Sequence, residues 1–420
     1  MATTVFSDVR VYPGYGNELL ASRDVVVEGE TITAITEHDP TAAHPNDAVV
    51  IRGRNRTLMP GLIDAHWHAA FTGVPAQVAV LADPNYLAII AGKQATATLM
   101  RGFTTVRDCG GPTFGLKRAI DEGVVPGPRI YPAGAMITQT AGHGDFRFPT
   151  EIPSDPCCGL SHIEKVGGAA IADGVDAVLK VCREQLMLGA SHLKLMAGGG
   201  VASAYDPLDV TQYTEPELRA GVEAAANWGT YVMVHAYTPH SIRQALRAGV
   251  RSIEHGHLVD EATVEAMLEA DAWWCLQPFL DDEDAVPVPP TSRAKFQQMV
   301  QGTDTAYELA IKHGVKVAWG TDTLFSAELA TKQGKQLVKM TRWYSAADAL
   351  ALATSVNADL LQLSGARNPY PGVLGRVDQG AIADLILLDG DPLVNIDLIA
   401  DPERNMKLIM KGGTVIKNEA

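Results

Sequence analysis

The sequence predicts an α/β protein built on a (β/α)8 barrel of the TIM type with β-rich ends. Three observations predict it. Eight short apolar runs alternate with helical patterns through the middle of the chain, which favours a barrel over an open doubly wound sheet. The two ends carry short alternating strands broken by Gly, Asn, Asp and Pro. Histidine, lysine and aspartate recur where the middle runs end, and that is the face on which such barrels place their chemistry.

The elements follow in chain order. Residues 1–57 hold "TVFSDVRVYP", "DVVVEGETITAITE" and the start of "AVVIRGRNRTLMP", which read as a small antiparallel β unit. The barrel is expected over 58–365, with strands at 61–66, 103–109, 129–134, 192–197, 230–236, 252–256, 272–278 and 316–322. Between them, "TEPELRAGVEAAANWG" has a Thr214/Glu217 capping box, Pro216 in its first turn and Gly229 at its close. "DEATVEAMLEAD" and "SAADALALATSVNADLLQL" also show helical periodicity. "DDEDAVPVPP" (281–290) is an acidic, proline-rich loop that reads as a lid over the barrel mouth. Residues 366–420 return to strands with glycine turns in "GVLGRVDQGAIADLILLDGDP" and "MKLIMKGGTVIKNEA".

Bulk properties narrow the function. With 420 residues, 46% hydrophobic and 20% charged, the chain has the balance of a folded protein with a sizeable core. A net charge of −15 argues against nucleic acid or an anionic membrane as a partner. Five cysteines, at 109, 157, 158, 182 and 275, show neither a bridge framework nor zinc-finger spacing, so they are expected to be reduced. The N-terminus does not read as a secretory signal and no run spans a bilayer, so the expected location is the cytoplasm.

The strand ends carry the chemistry. "GLIDAHWH" puts His66 and His68 two apart, on one face if the segment is extended. Lys194 lies in strand four, His235 and His255 end strands five and six, and Asp322 follows strand eight. Each has a bland alternative: a wetted strand end, a satisfied core histidine, a snorkelling lysine, a helix N-cap. Six such residues at corresponding strand ends are hard to assign to chance. Imidazoles and a carboxylate suit zinc and similar divalent ions. Two ions need an anionic bridge. An ammonium would be repelled, but a lysine converted by carbon dioxide to a carbamate offers two oxygens. Ser203 lacks the G-x-S-x-G frame of a serine hydrolase, and "AGGGVAS" lacks both phosphate-loop patterns. Trp67, Trp273, Trp274, Phe279 and Phe325 hint at an apolar substrate, though core packing is the first expectation for them.

"LMPGLIDAHWH", "GFTTVRDCGG", "HLKLMAGGGV", "RSIEHG" and "VAWGTDT" resemble the binuclear metal-dependent amidohydrolase superfamily, in its imidazolonepropionase-like branch. "TAGHGD", "TQYTEPEL" and "VHAYTP" are similar to the prolidase-type dipeptidases, related carboxypeptidases and ochratoxin-hydrolysing amidases. The resemblance implies a small composite β-sandwich from 1–57 and 366–420 beside the barrel. It implies that His66, His68 and Asp322 hold one metal, that His235 and His255 hold a second, and that carbamylated Lys194 and a hydroxide bridge them. Zinc is the expected metal. Asp322 would move protons, His143 would address the scissile carbonyl, and Tyr237 would bind a substrate carboxylate. Gln212 and Tyr213 would line the pocket. The implied reaction is hydrolysis of an amide bond to a C-terminal amino acid, in an Xaa-Pro dipeptide or an N-acyl aromatic amino acid such as ochratoxin A. A cyclic-amide hydrolase or deaminase on the same scaffold is the enzymatic alternative, and an inactive binding relative the non-enzymatic one. A homo-oligomer is expected.

Overall fold

The computed structural model describes residues 3–44, 47–152 and 159–420. The N-terminal strands are β1 (Thr3–Val11), β2 (Leu20–Glu28), β3 (Thr31–Glu37), β4 (Val49–Arg52) and β5 (Thr57–Pro60). The middle supplies β6 (Leu62–Trp67), β7 (Phe103–Asp108), β8 (Arg129–Pro132), β9 (Met136–Thr138) and β10 (Ala169–Ile171). It continues with β11 (Leu193–Met196), β12 (Val232–Ala236), β13 (Ser252–His255), β14 (Trp273–Leu276) and β15 (Lys316–Trp319). The chain closes with β16 (Leu385–Leu388), β17 (Met406–Lys411) and β18 (Thr414–Asn418).

Each of the eight middle segments expected to be extended contains a strand. Two strands of three residues, β9 and β10, were not expected. The middle strands do not form one closed ladder. They form two parallel sheets, β6-β7-β8 and β10-β9-β11-β12-β13-β14-β15. Bonds that include Asp322 N–H to the His66 carbonyl at 2.8 Å on one side and Ser191 N–H to the Pro132 carbonyl at 2.8 Å on the other span the gaps. The second gap has a local cause, because β8 ends on Pro132, which has no N–H to continue a ladder. The strands are apolar because both faces are covered, and all positions of β6, β7, β11, β12, β13 and β14 are buried. The expected helix is present at Glu215–Asn227, with Thr214 N–H donating to Glu217 Oε2 at 2.7 Å.

The ends meet. β5 pairs with β1 in parallel and with β16 antiparallel, so both termini join one connected eight-stranded ladder. The register of β5 against β16 brings Phe6, Leu58, Leu387 and Leu408 into a core cluster separate from the main one. Thr57–Pro60 runs through Gly61 directly into β6, so this sheet anchors the strand that bears the histidine pair.

Candidate metal centre

The six ligand candidates line one cavity. His66 lies in β6 and His68 just past its end; Lys194, His235 and His255 lie in β11, β12 and β13; Asp322 follows β15. His66 Nε2 and His68 Nε2 approach Asp322 Oδ1 at 3.2 and 3.3 Å, and His255 Nδ1 lies 4.0 Å from Asp322 Oδ2. The His235 and His255 ring centroids are 4.5 Å apart. Ligand atoms of His66, His255 and Asp322 all fall within 4.8 Å of one another.

Each imidazole has one nitrogen engaged by the protein. His66 Nδ1 meets Glu254 Oε2 at 2.7 Å, His68 Nδ1 the Gly110 carbonyl at 2.9 Å, His235 Nε2 the Gly199 carbonyl at 3.1 Å, and His255 Nδ1 Gln277 Oε1 at 2.7 Å. His235 Nδ1 and His255 Nε2 carry no hydrogen bond among the described residues. Fixing one ring nitrogen sets tautomer and orientation, which is how proteins prepare imidazole for a metal. Burial, helped by neighbouring cationic groups, pushes His235 well below the usual histidine range and keeps it neutral. Lys194 is 2% exposed and its amine has no hydrogen bond or ion pair among the described residues. A buried amine without a partner is costly unless another group meets it or its charge is removed. This donor set fits a divalent metal.

Backbone strain and glycine shape the centre. His255 (φ +74°) and Asp322 (φ +53°) adopt the left-handed region, at a cost of about 1–3 kcal/mol each. Trp274 Nε1–H donates to the His255 carbonyl at 2.7 Å, which holds that turn. Gly320 packs so tightly that a Cβ there would stand 2.4 Å from His66 Cβ.

Sequence reasoning missed the brace under His66. Glu254 is fully buried and accepts both Arg107 Nη2 contacts, at 2.8 and 2.9 Å, and the Ser252 hydroxyl at 2.6 Å. Burial opposes ionisation of Glu254, but Arg107 and the His66 bond hold its carboxyl well below the usual range. The available signal was an ionisable residue inside each of two apolar strands, "TTVRD" and "SIEHG".

The remaining candidates divide. His143 lies on the loop after β9, lines the cavity and stacks on His235 with centroids 4.1 Å apart. Tyr237 lines the cavity, stacks on His255 at 5.1 Å, and donates its hydroxyl to Met299 Sδ at 3.4 Å. Gln212 and Tyr213 do not line it. Gln212 Oε1 accepts the His143 N–H at 2.8 Å, and Tyr213 packs in the main core with φ +59°. Phe279 and Phe325 face the cavity, whereas Trp67, Trp273 and Trp274 are core. The 281–290 loop contributes Val286 and Val288 to the cavity wall. It is fastened by Arg293–Asp281 at 2.6 Å, Lys332–Asp284 at 2.7 Å and Lys339–Asp282 at 2.8 Å. The glycines of "AGGGVAS" serve close approach: a Cβ at Gly199 would meet the Pro207 carbonyl at 1.8 Å. Cys109, Cys182 and Cys275 are buried and free; Cys157 and Cys158 lie outside the described residues. Among the described residues, no helix is long and apolar enough to cross a membrane.

Parallel strand ends that gather four histidines, a lysine and an aspartate around one pocket define an α/β fold with a candidate metal-binding site. Residues 57–416 match the amidohydrolase family, and the chain belongs to it. It is a hydrolase acting on amide bonds, in a family that is generally metal-dependent. Ochratoxinase of Aspergillus niger is 30% identical over 377 residues, or 86% of this chain and 75% of that enzyme. A prolidase solved with N-methylphosphonate-L-proline superposes with a TM-score of 0.88 at 36% identity, covering 99% of this chain and 100% of its own. A Xaa-Pro dipeptidase solved with methionine in its active site gives 0.85 at 27% identity, covering 99% and 100%.

Proposed function

We propose that this enzyme hydrolyses the amide bond to a C-terminal amino acid, in an Xaa-Pro dipeptide or an N-acyl aromatic amino acid such as ochratoxin A. One observation carries the reading: a buried Lys194 amine with no hydrogen bond or ion pair among the described residues, set among imidazoles whose other nitrogens are already engaged. His66, His68 and Asp322 would hold one divalent ion, His235 and His255 a second, and a carbamate on Lys194 would lie between them. Zinc suits this donor set. When bound, such a pair polarises a carbonyl and brings water toward ionisation near neutral pH.

This chain's own residues do the rest. Asp322 accepts the proton of the attacking water and delivers it to the leaving nitrogen. His143 Nε2, which has no hydrogen bond among the described residues, addresses the carbonyl oxygen as negative charge develops. The Tyr237 hydroxyl turns from Met299 to the substrate carboxylate. Phe146, Val201, Phe279, Phe296 and Phe325 make the wall apolar, which excludes water and suits an apolar acyl or amine group. The two parallel sheets read as one (β/α)8 barrel over 58–365, with 1–57 and 366–420 as the second domain.

The test incubates zinc-loaded enzyme with dipeptides and N-acyl amino acids, ochratoxin A included, and reads products by mass spectrometry. Release of a free amino acid supports the reading. No cleavage across the panel by protein carrying two metals per chain overturns it.

A further inference from the structure

His143 stands on the loop after β9, five residues beyond that strand's end, so no strand fixes its aim. A second loop, residues 198–206, holds it instead. His143 Nδ1 lies 2.8 Å from Ser203 Oγ and 3.3 Å from Asp206 Oδ2. Asp206 is 2% exposed, and its Oδ2 also accepts the Gly200 N–H at 2.7 Å. Gly200 forms the surface on which the ring rests: a Cβ there would stand 2.1 Å from His143 Cε1 and Nδ1.

That loop is itself clamped. The Lys295 ammonium donates to the carbonyls of Gly200 at 3.0 Å, Ser203 at 2.8 Å and Asp206 at 2.8 Å. Lys295 is the third residue of the Arg293–His313 helix, which begins just after the lid. A lysine with its three donors on three backbone carbonyls is spent on loop shape rather than on a substrate.

We propose that Asp206 is a positioning residue for hydrolysis: its carboxylate, held in register by Lys295, accepts Nδ1–H of a His143 ring that carries both protons, and so leaves Nε2–H aimed at the scissile carbonyl. The proposal rests on the reading of His143 as the group that meets that carbonyl. A simpler role for Asp206 is to shape the loop through the Gly200 N–H. The two roles differ in what happens when His143 is absent.

The experiment is a double-mutant cycle on Asp206→Ala and His143→Ala, with kcat, KM, metal content and melting temperature measured for each. His143→Ala should lower kcat about 10²–10³-fold, as loss of a donor to a developing oxyanion does. Asp206→Ala should lower kcat by about 10–10²-fold through misalignment, with KM and metal content little changed. Asp206→Asn keeps an acceptor for Nδ1–H and should recover most of that loss. The double variant should be no slower than His143→Ala. If the two losses multiply, Asp206 does not act through His143 and the proposal fails. If His143→Ala turns over at the wild-type rate, the reading of His143 fails first. A crystal structure of Asp206→Ala needs no turnover: the His143 ring should rotate off its stack on His235, and an unmoved ring overturns the proposal. Lys295→Met should give a smaller loss of the same kind, absent in the His143→Ala background.

Discussion

His66 and His143 both have Nδ1 beside a buried carboxylate, joined at His143 by the Ser203 hydroxyl at 2.8 Å, but the two carboxylates are anchored differently. Glu254 sits in a strand, fully buried, with the Arg107 guanidinium closed on it at 2.8 Å. Asp206 sits in a loop whose lysine reaches only its backbone. On the His66 side the ligand geometry and the stability of the sheet core are one structure. On the His143 side the geometry depends on local bonds that the rest of the fold does not need. Damage to the first should therefore appear as unfolding, and damage to the second as lost rate with the fold intact.

The largest effect lies between the two sides. Lys194→Ala removes the side chain proposed to lie between the two metal ions, so turnover should vanish and bound metal should fall below two per chain by elemental analysis. Retained turnover would remove the carbamate from the scheme. Next comes the strand side. Glu254→Gln keeps a hydrogen bond for His66 but leaves Arg107 buried without its counter-charge, which should lower the unfolding free energy by about 3–5 kcal/mol in urea titrations. The loop side supplies the contrast. Gly200→Ala must displace the His143 ring and should cost about 10²-fold in kcat/KM, while the urea midpoint moves little. If Glu254→Gln costs only rate, or Gly200→Ala only stability, the division between the two sides is wrong. The smallest effect concerns the lid. Val286→Ser with Val288→Ser should raise KM for an aromatic N-acyl substrate several-fold, as lost apolar burial of this size predicts, and leave kcat near its value.

The strand side was legible in the sequence because its signals are local. An apolar run ending in histidine names both a strand and a side chain at its end, and the strands at His66, His235 and His255 follow that pattern. Arg107 and Glu254 were visible as ionisable residues inside apolar strands, but they stand 147 positions apart and nothing local pairs them. The loop side was less legible. Asp206, in "AYDPLD", reads as an ordinary turn residue. Gln212 and Tyr213 follow β11 on the way to the next helix, where pocket residues were expected, yet the left-handed backbone at Tyr213 accompanies a ring packed in the core. β9 and β10 escaped because three residues are too few to establish a period. The eight strands were legible, but the break in the ladder after β8 was not, because it turns on Pro132 lacking an N–H.

The fastening of the 281–290 loop makes the environment of the enzyme part of its mechanism. Its anchors Arg293–Asp281 and Lys339–Asp282 are ion pairs reached by solvent, with side-chain exposures of 48 and 46% in the first and 12 and 34% in the second. Dissolved electrolyte weakens such pairs, as the Debye length shrinks from about 10 Å at 0.1 M to about 3 Å at 1 M. Rising ionic strength is therefore expected to loosen this stretch of the cavity wall, while the strand-held side chains beneath, shielded from water, stay indifferent to it.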